Sequence, residues 1–265
     1  MIGERADVSV LPATVMAWRR VSIALAWRPE WPVAMLAGIA WLLFAVLSLQ
    51  GDGAGGHAAH AQAQASLSAF ALMPWSTSWL ASWLLMSFAM MVPATLPAVR
   101  HVAFNSIEAR RARAMAIYVV AYLAVWGAFG VIAFALIVST RTLIAAAIDR
   151  ALFAIVLAVA TGWQLTRIKR RAISACKRTV PLPPHGLRAD RACARFGMLQ
   201  AWRCILACWP LMLLMAAMPH PHALLPMIAL ATIVLVEERA SNRDRLIVPI
   251  ACVLAVATLA AALAA

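Results

Sequence analysis

"TSWLASWLLMSFAMMVPATLPAVRH", residues 77–101, decides how the chain folds. From Thr77 to Val99 it contains no Asp, Glu, Lys or Arg, and it closes on Arg100 and His101. At about 1.5 Å of rise per residue, a helix of that length crosses the ~30 Å of hydrocarbon in a bilayer. Hydrocarbon offers no hydrogen bonds, so only helices and closed barrels satisfy their own backbone there. A barrel strand would alternate apolar and polar residues over about ten positions, and this stretch does not.

Similar apolar runs occupy about 31–49, 115–138, 144–165, 196–218, 222–237 and 246–264. Composition agrees: 65% of the 265 residues are hydrophobic and 12% are charged, against roughly 25% charged in a soluble domain. The expected fold is an all-α, polytopic transmembrane helix bundle of about seven spans. The count becomes six if the short sixth run, which carries Pro226, is re-entrant. Residues 31–264 form one transmembrane helical domain, and residues 1–30 a cytoplasmic N-terminal segment. That segment lacks the apolar core and small-residue cleavage site of a secretory signal. Within it, "VMAWRRVSIALAW" (15–27) reads either as an interfacial helix or as a disordered tail.

The net charge of +13 is concentrated in particular loops. Arg5, Arg19, Arg20 and Arg28 precede the first span, and Arg100, Arg110, Arg111 and Arg113 follow the second. The loop 166–195 after the fourth span is the most basic, whereas 50–76 holds no Lys or Arg. If seven spans alternate, every basic loop falls on one side, which places the N-terminus in the cytoplasm and the C-terminus outside. The expected location is the bacterial inner membrane, with the lipid bilayer as partner and no nucleic acid. "PLPP" (181–184) punctuates loop 166–195 as a flexible connection.

Enzyme chemistry has little to stand on. The spans carry no central Asp, Glu or Lys for a proton relay. There is no phosphate-cradling glycine loop, no His-Glu-x-x-His helix and no Gly-x-Ser-x-Gly elbow. The expectation is a non-enzyme.

Sulfur is what remains. In "WRCILACWPLMLLMAAMPHPH" (202–222), Cys204, Cys208, Met212, Met215 and Met218 fall within a sector of about 120° on one helix. Two thiols and three thioethers on one face favour Cu(I), whereas carboxylates and carbonyls would favour Mg²⁺ or Ca²⁺. Taken singly, each residue is ordinary core filler. A second sulfur-bearing helix changes that weighting. The second span runs inward and the fifth outward, so Met86 and Met90, which share one face at i, i+4, lie at the depth of Cys204 and Cys208. Met91 points about 100° away from Met90, toward another neighbour. Pro93, Pro97 and Pro210 each remove a helix donor and free a carbonyl. His101 reads as an interfacial anchor, and Gly127 and Gly130 as sites of close helix packing. The weaker metal candidates are His57 and His60 in the outer loop, and Met218, His220 and His222 at the outer end of the fifth span. Cys176, Cys193 and Cys252 lack ligand spacing.

These motifs resemble those of the bacterial predicted metal-binding integral membrane proteins, a family that includes a copper chaperone for a tyrosinase. The resemblance covers roughly residues 75–240. It rests on Met86, Met90, Met91, Pro93 and Pro97, then on Cys204, Cys208, Trp209 and Met212. The family's later motif often has a Cys-Cys pair before the Trp, and here Ala207 takes the first of those places. The resemblance implies metal binding, with copper as the metal, and delivery to a copper enzyme on the outer side. Two other readings use the same residues: a metal or small-solute permease with the sulfur ladder as its path, and a membrane scaffold whose methionines only pack.

Overall fold

The computed structural model describes residues 28–53, 77–143, 149–217, 224–240 and 244–263. Among them there are eight α-helices and no strand: α1 Trp31–Gly53, α2 Thr77–Phe104, α3 Arg111–Leu143, α4 Asp149–Gln164, α5 Arg167–Cys176, α6 Gly186–Ala217, α7 Leu224–Arg239 and α8 Asp244–Leu263. Three stretches are long and apolar enough to cross a membrane by length and composition: Leu80–Phe104, Glu108–Ile137 and Gly186–Met215. Trp31–Val46, Ala154–Gln164 and Val248–Ala257 are shorter apolar helices. The segment 15–27 and the outer-loop histidines His57 and His60 lie outside the described residues.

At the centre is α3, which packs along both α2 and α6, while α1 lies on α2 and α4 lies on α6 and α8. Two glycines permit the closest approaches. A Cβ at Gly197 on α6 would overlap the Tyr118 carbonyl oxygen on α3, so glycine lets the two backbones touch. At Gly130, within the stretch expected to favour close packing, a Cβ would overlap the Trp83 indole ring. That indole instead lies flat enough to donate to the Trp126 carbonyl at 2.9 Å.

The turn from α2 to α3 is closed by short polar side chains. Asn105 Nδ2 donates to the His101 carbonyl at 2.8 Å and Ser106 Oγ to the Val102 carbonyl at 2.9 Å, occupying carbonyls that a helix C-terminus leaves unpaired. Asp190 near the start of α6 then takes both Arg110 and Arg113, the latter at 2.7 Å, tying α6 to the beginning of α3.

The basic loop 166–195 differs from the flexible connection expected of it. Much of it is helical: α5, and the first turns of α6, with only the residues between them irregular. The Thr166 hydroxyl caps α5 by accepting from the Lys169 N–H at 3.2 Å. α5 then buries Lys169, Ala172 and Ile173 on one face and leaves its arginines outward. Composition could not show this, because a helix whose cations surround a narrow buried stripe has the same residues as a solvated loop.

Candidate metal centre

Three sulfurs from two helices meet in the core. Met91 Sδ on α2 lies 3.9 Å from Cys204 Sγ and 3.9 Å from Cys208 Sγ on α6, and the two thiols are 4.0 Å apart. Met91 is fully buried, Cys204 is 3% exposed and Cys208 2%. The cysteines come together because one helical turn separates them. The Cys208 thiol donates to the Cys204 carbonyl at 3.0 Å, so one S–H is parked on its own helix.

The triangle has a chemical reading. A point equidistant from three vertices that far apart lies about 2.3 Å from each, the length of a metal–thiolate bond. Two thiols and a thioether form a soft donor set of the kind that selects Cu(I). Among the described residues no three His, Cys, Asp or Glu side chains come together as a hard-donor site. Tyr122 and Trp126 belong to the same buried cluster as the three sulfurs, and Phe129 packs on it. The Tyr122 hydroxyl is buried beside Cys204.

The prolines explain how the sulfur helices are held. Pro93 lacks an N–H, so the Ala89 carbonyl four residues before it loses its helix donor. Trp41 Nε1 on α1 supplies the missing bond at 2.8 Å. Pro210 does the same to the Leu206 carbonyl, and Trp163 Nε1 on α4 supplies that bond at 3.1 Å. Trp163 also meets Trp209 edge-on, with centroids 5.3 Å apart. Ala89 precedes the Met90–Met91 pair and Leu206 lies between the two cysteines. Each sulfur-bearing segment is therefore clamped to a neighbouring helix at its own proline, and helical structure continues through both. The carbonyls that the two prolines free are thus docking points for the tryptophans of neighbouring helices.

Where α4, α5 and α7 meet lies a buried polar cluster in which Lys169 Nζ on α5 donates to Gln164 Oε1 on α4. It also reaches Glu237 on α7 at 2.9 Å to Oε1 and 2.7 Å to Oε2. Gln164 is 1% exposed, Lys169 2% and Glu237 6%. Burial pulls the Lys169 ammonium below the usual lysine range while Glu237 pulls it back up. In sequence Lys169 is one cation of the basic loop 166–195 and Glu237 the last residue of the sixth apolar run; tertiary packing makes them buried partners.

Of the sequence candidates, Met91, Cys204 and Cys208 are brought into mutual contact. Met86, Met90, Met212 and Met215 lie in the same buried cluster. The direction expected for Met91 needs correcting, since Met91 is the methionine in sulfur contact with both cysteines. The 100° step fixed the angle between Met90 and Met91 but not which of them faces α6. Ala207, where the resembling family often carries a second cysteine, packs instead with Ala172 and Ile173 of α5. His101 is an anchor: Nε2 bonds the Val180 carbonyl at 2.8 Å and the ring meets Phe196 edge-on. Met218, His220 and His222 lie outside the described residues. One buried sulfur was missed: Met227 on α7, fully buried in the same cluster.

A family model described as PpoB2, copper chaperone, matches residues 80–261, which takes in every helix from α2 onward. Comparison with curated proteins and with solved structures gives no match.

Proposed function

The chain belongs to the PpoB2 copper chaperone family, and from that premise we propose that it holds Cu(I) in a trigonal site made by Met91 Sδ, Cys204 Sγ and Cys208 Sγ. The observation that carries the reading is the sulfur triangle with sides of 3.9, 3.9 and 4.0 Å. Loading releases the two thiol protons, breaks the Cys208–Cys204 carbonyl bond, and leaves a site of net charge −1. No side chain here acts as nucleophile or general base; the protein binds, shields and hands on the ion.

The proposal includes placement. The bundle spans the bacterial inner membrane about seven times with its N-terminus in the cytoplasm, a reading supported by the one-sided distribution of the basic loops. Copper then leaves toward a copper enzyme on the outer side. Anaerobic titration of the detergent-purified protein with Cu(I) against a competing chelator tests the site. Wild type should retain metal that Cys204→Ser/Cys208→Ser does not. Equal binding by the two sinks the proposal. A reporter fused after α8 and read as exported or cytoplasmic tests the orientation.

A further inference from the structure

We infer that the Tyr122 phenol is a positioning residue of the copper site: its hydroxyl donates to the Cys204 sulfur and holds that sulfur as a thiolate once Cu(I) is bound. The inference rests on the copper reading above and adds α3 to the helices that make the site.

Two contacts between α3 and α6 fix where Tyr122 lies. Arg110 and Arg113, on either side of the start of α3, both bond Asp190 near the start of α6. Two turns further along each helix, Gly197 of α6 meets the Tyr118 carbonyl of α3. The helices therefore run side by side in the same direction. Tyr122 is one turn beyond Tyr118, about 6 Å along the axis, and Cys204 is about 10 Å beyond Gly197. A phenol side chain spans the remaining offset of about 4 Å, and the Tyr122 hydroxyl makes a hydrogen-bond contact with Cys204.

The ring is held in that place. Tyr118 stacks on it, with centroids 6.3 Å apart and planes 22° apart, and the Tyr118 hydroxyl is itself bonded to Thr95 Oγ1 on α2. Tyr122 is fully buried, so its hydroxyl has no water to turn to. The protons of the triangle leave room for it: the Cys208 S–H goes to the Cys204 carbonyl, and the Cys204 S–H faces Met91 Sδ. Lone pairs on Cys204 Sγ remain for an incoming O–H.

The chemistry favours the loaded state. A phenol bonded to a neutral thiol gains little, whereas a bond to a thiolate is charge-assisted and about twice as strong. A group shifts an equilibrium only by interacting differently with its two states, and this hydroxyl does so. Phenylalanine would fill the same space without the cost of burying an oxygen. The phenol keeps its proton throughout, and the ion stays Cu(I).

Tyr118 and Tyr122 are the two tyrosines of the chain, so Tyr118→Phe leaves Tyr122 as sole reporter. Handled anaerobically in detergent, that variant should load Cu(I) as wild type does, and its tyrosine resonance-Raman doublet should move to the strong-donor pattern on loading. Tyr122→Phe removes only the oxygen. It should melt near wild type without copper, yet retain Cu(I) against the chelator about 10- to 100-fold less well, with the thiolate-to-copper ultraviolet band moved to longer wavelength. A doublet that ignores copper, or wild-type retention and band position in Tyr122→Phe, overturns the inference while the triangle stands. Weaker retention with an unmoved band overturns it too, because lost packing alone would do that. If Cys204→Ser/Cys208→Ser binds like wild type, the triangle itself fails and this inference with it.

Discussion

The sulfur triangle and the Lys169–Gln164–Glu237 cluster are both buried and both join distant helices, yet they are opposites. In the cluster, the ammonium and the carboxylate spend their capacity on each other, at 2.7 and 2.9 Å. In the triangle, the sulfurs approach to 3.9–4.0 Å and exchange almost nothing. Charged groups in a low-dielectric interior must be paired or they destabilise the fold. Soft, nearly apolar sulfurs tolerate burial with lone pairs unused. A strut and a binding site can thus be distinguished by whether their polar capacity is consumed.

That contrast can be broken most forcefully at the strut. Lys169→Met strands the Glu237 carboxylate and should cost about 3–5 kcal/mol, read as a large fall in the thermal midpoint in detergent. Adding Glu237→Leu should recover most of it, because an apolar pair replaces the ion pair. If the single variant melts like wild type, the cluster is not a strut. Gly197→Ala comes next: the added methyl meets the Tyr118 carbonyl and should cost about 1–3 kcal/mol by separating α3 from α6. Trp163→Phe removes the donor to the Leu206 carbonyl and should cost about 1 kcal/mol, with a loss of Cu(I) affinity because the cysteine turn is no longer clamped. The smallest effect on stability belongs to the site. Met91→Leu should change the melting point by under about 1.5 kcal/mol while weakening Cu(I) retention against the chelator. Equal retention would show that Met91 is only packing.

Much of this was legible in the sequence, and the exceptions have physical causes. The helical class follows from apolar run lengths, and the sulfur face of α6 from the spacing of Cys204, Cys208, Met212 and Met215. The prolines announced freed carbonyls. What they could not announce was the donor, because Trp41 and Trp163 are 48 and 43 positions away from the carbonyls they reach. Met91 against Met90 was undecidable from one helix, since rotation about the helix axis is set by α3. Lys169 was hidden among the cations of the basic loop, where a buried charge carries no compositional mark, and Glu237 at the end of an apolar run gave no sign of a partner 68 positions away.

The Lys169–Glu237 bond has a last consequence, which concerns how the protein is made. The partners are 68 residues apart in the chain, and the carboxylate belongs to a helix synthesised after the copper ligands are complete. A nascent chain that already holds Met91, Cys204 and Cys208 still carries an uncompensated ammonium until α7 arrives. The packing of α7 onto α5 therefore comes after the sulfur ligands are all in the chain, and it is that late step which neutralises the buried ammonium.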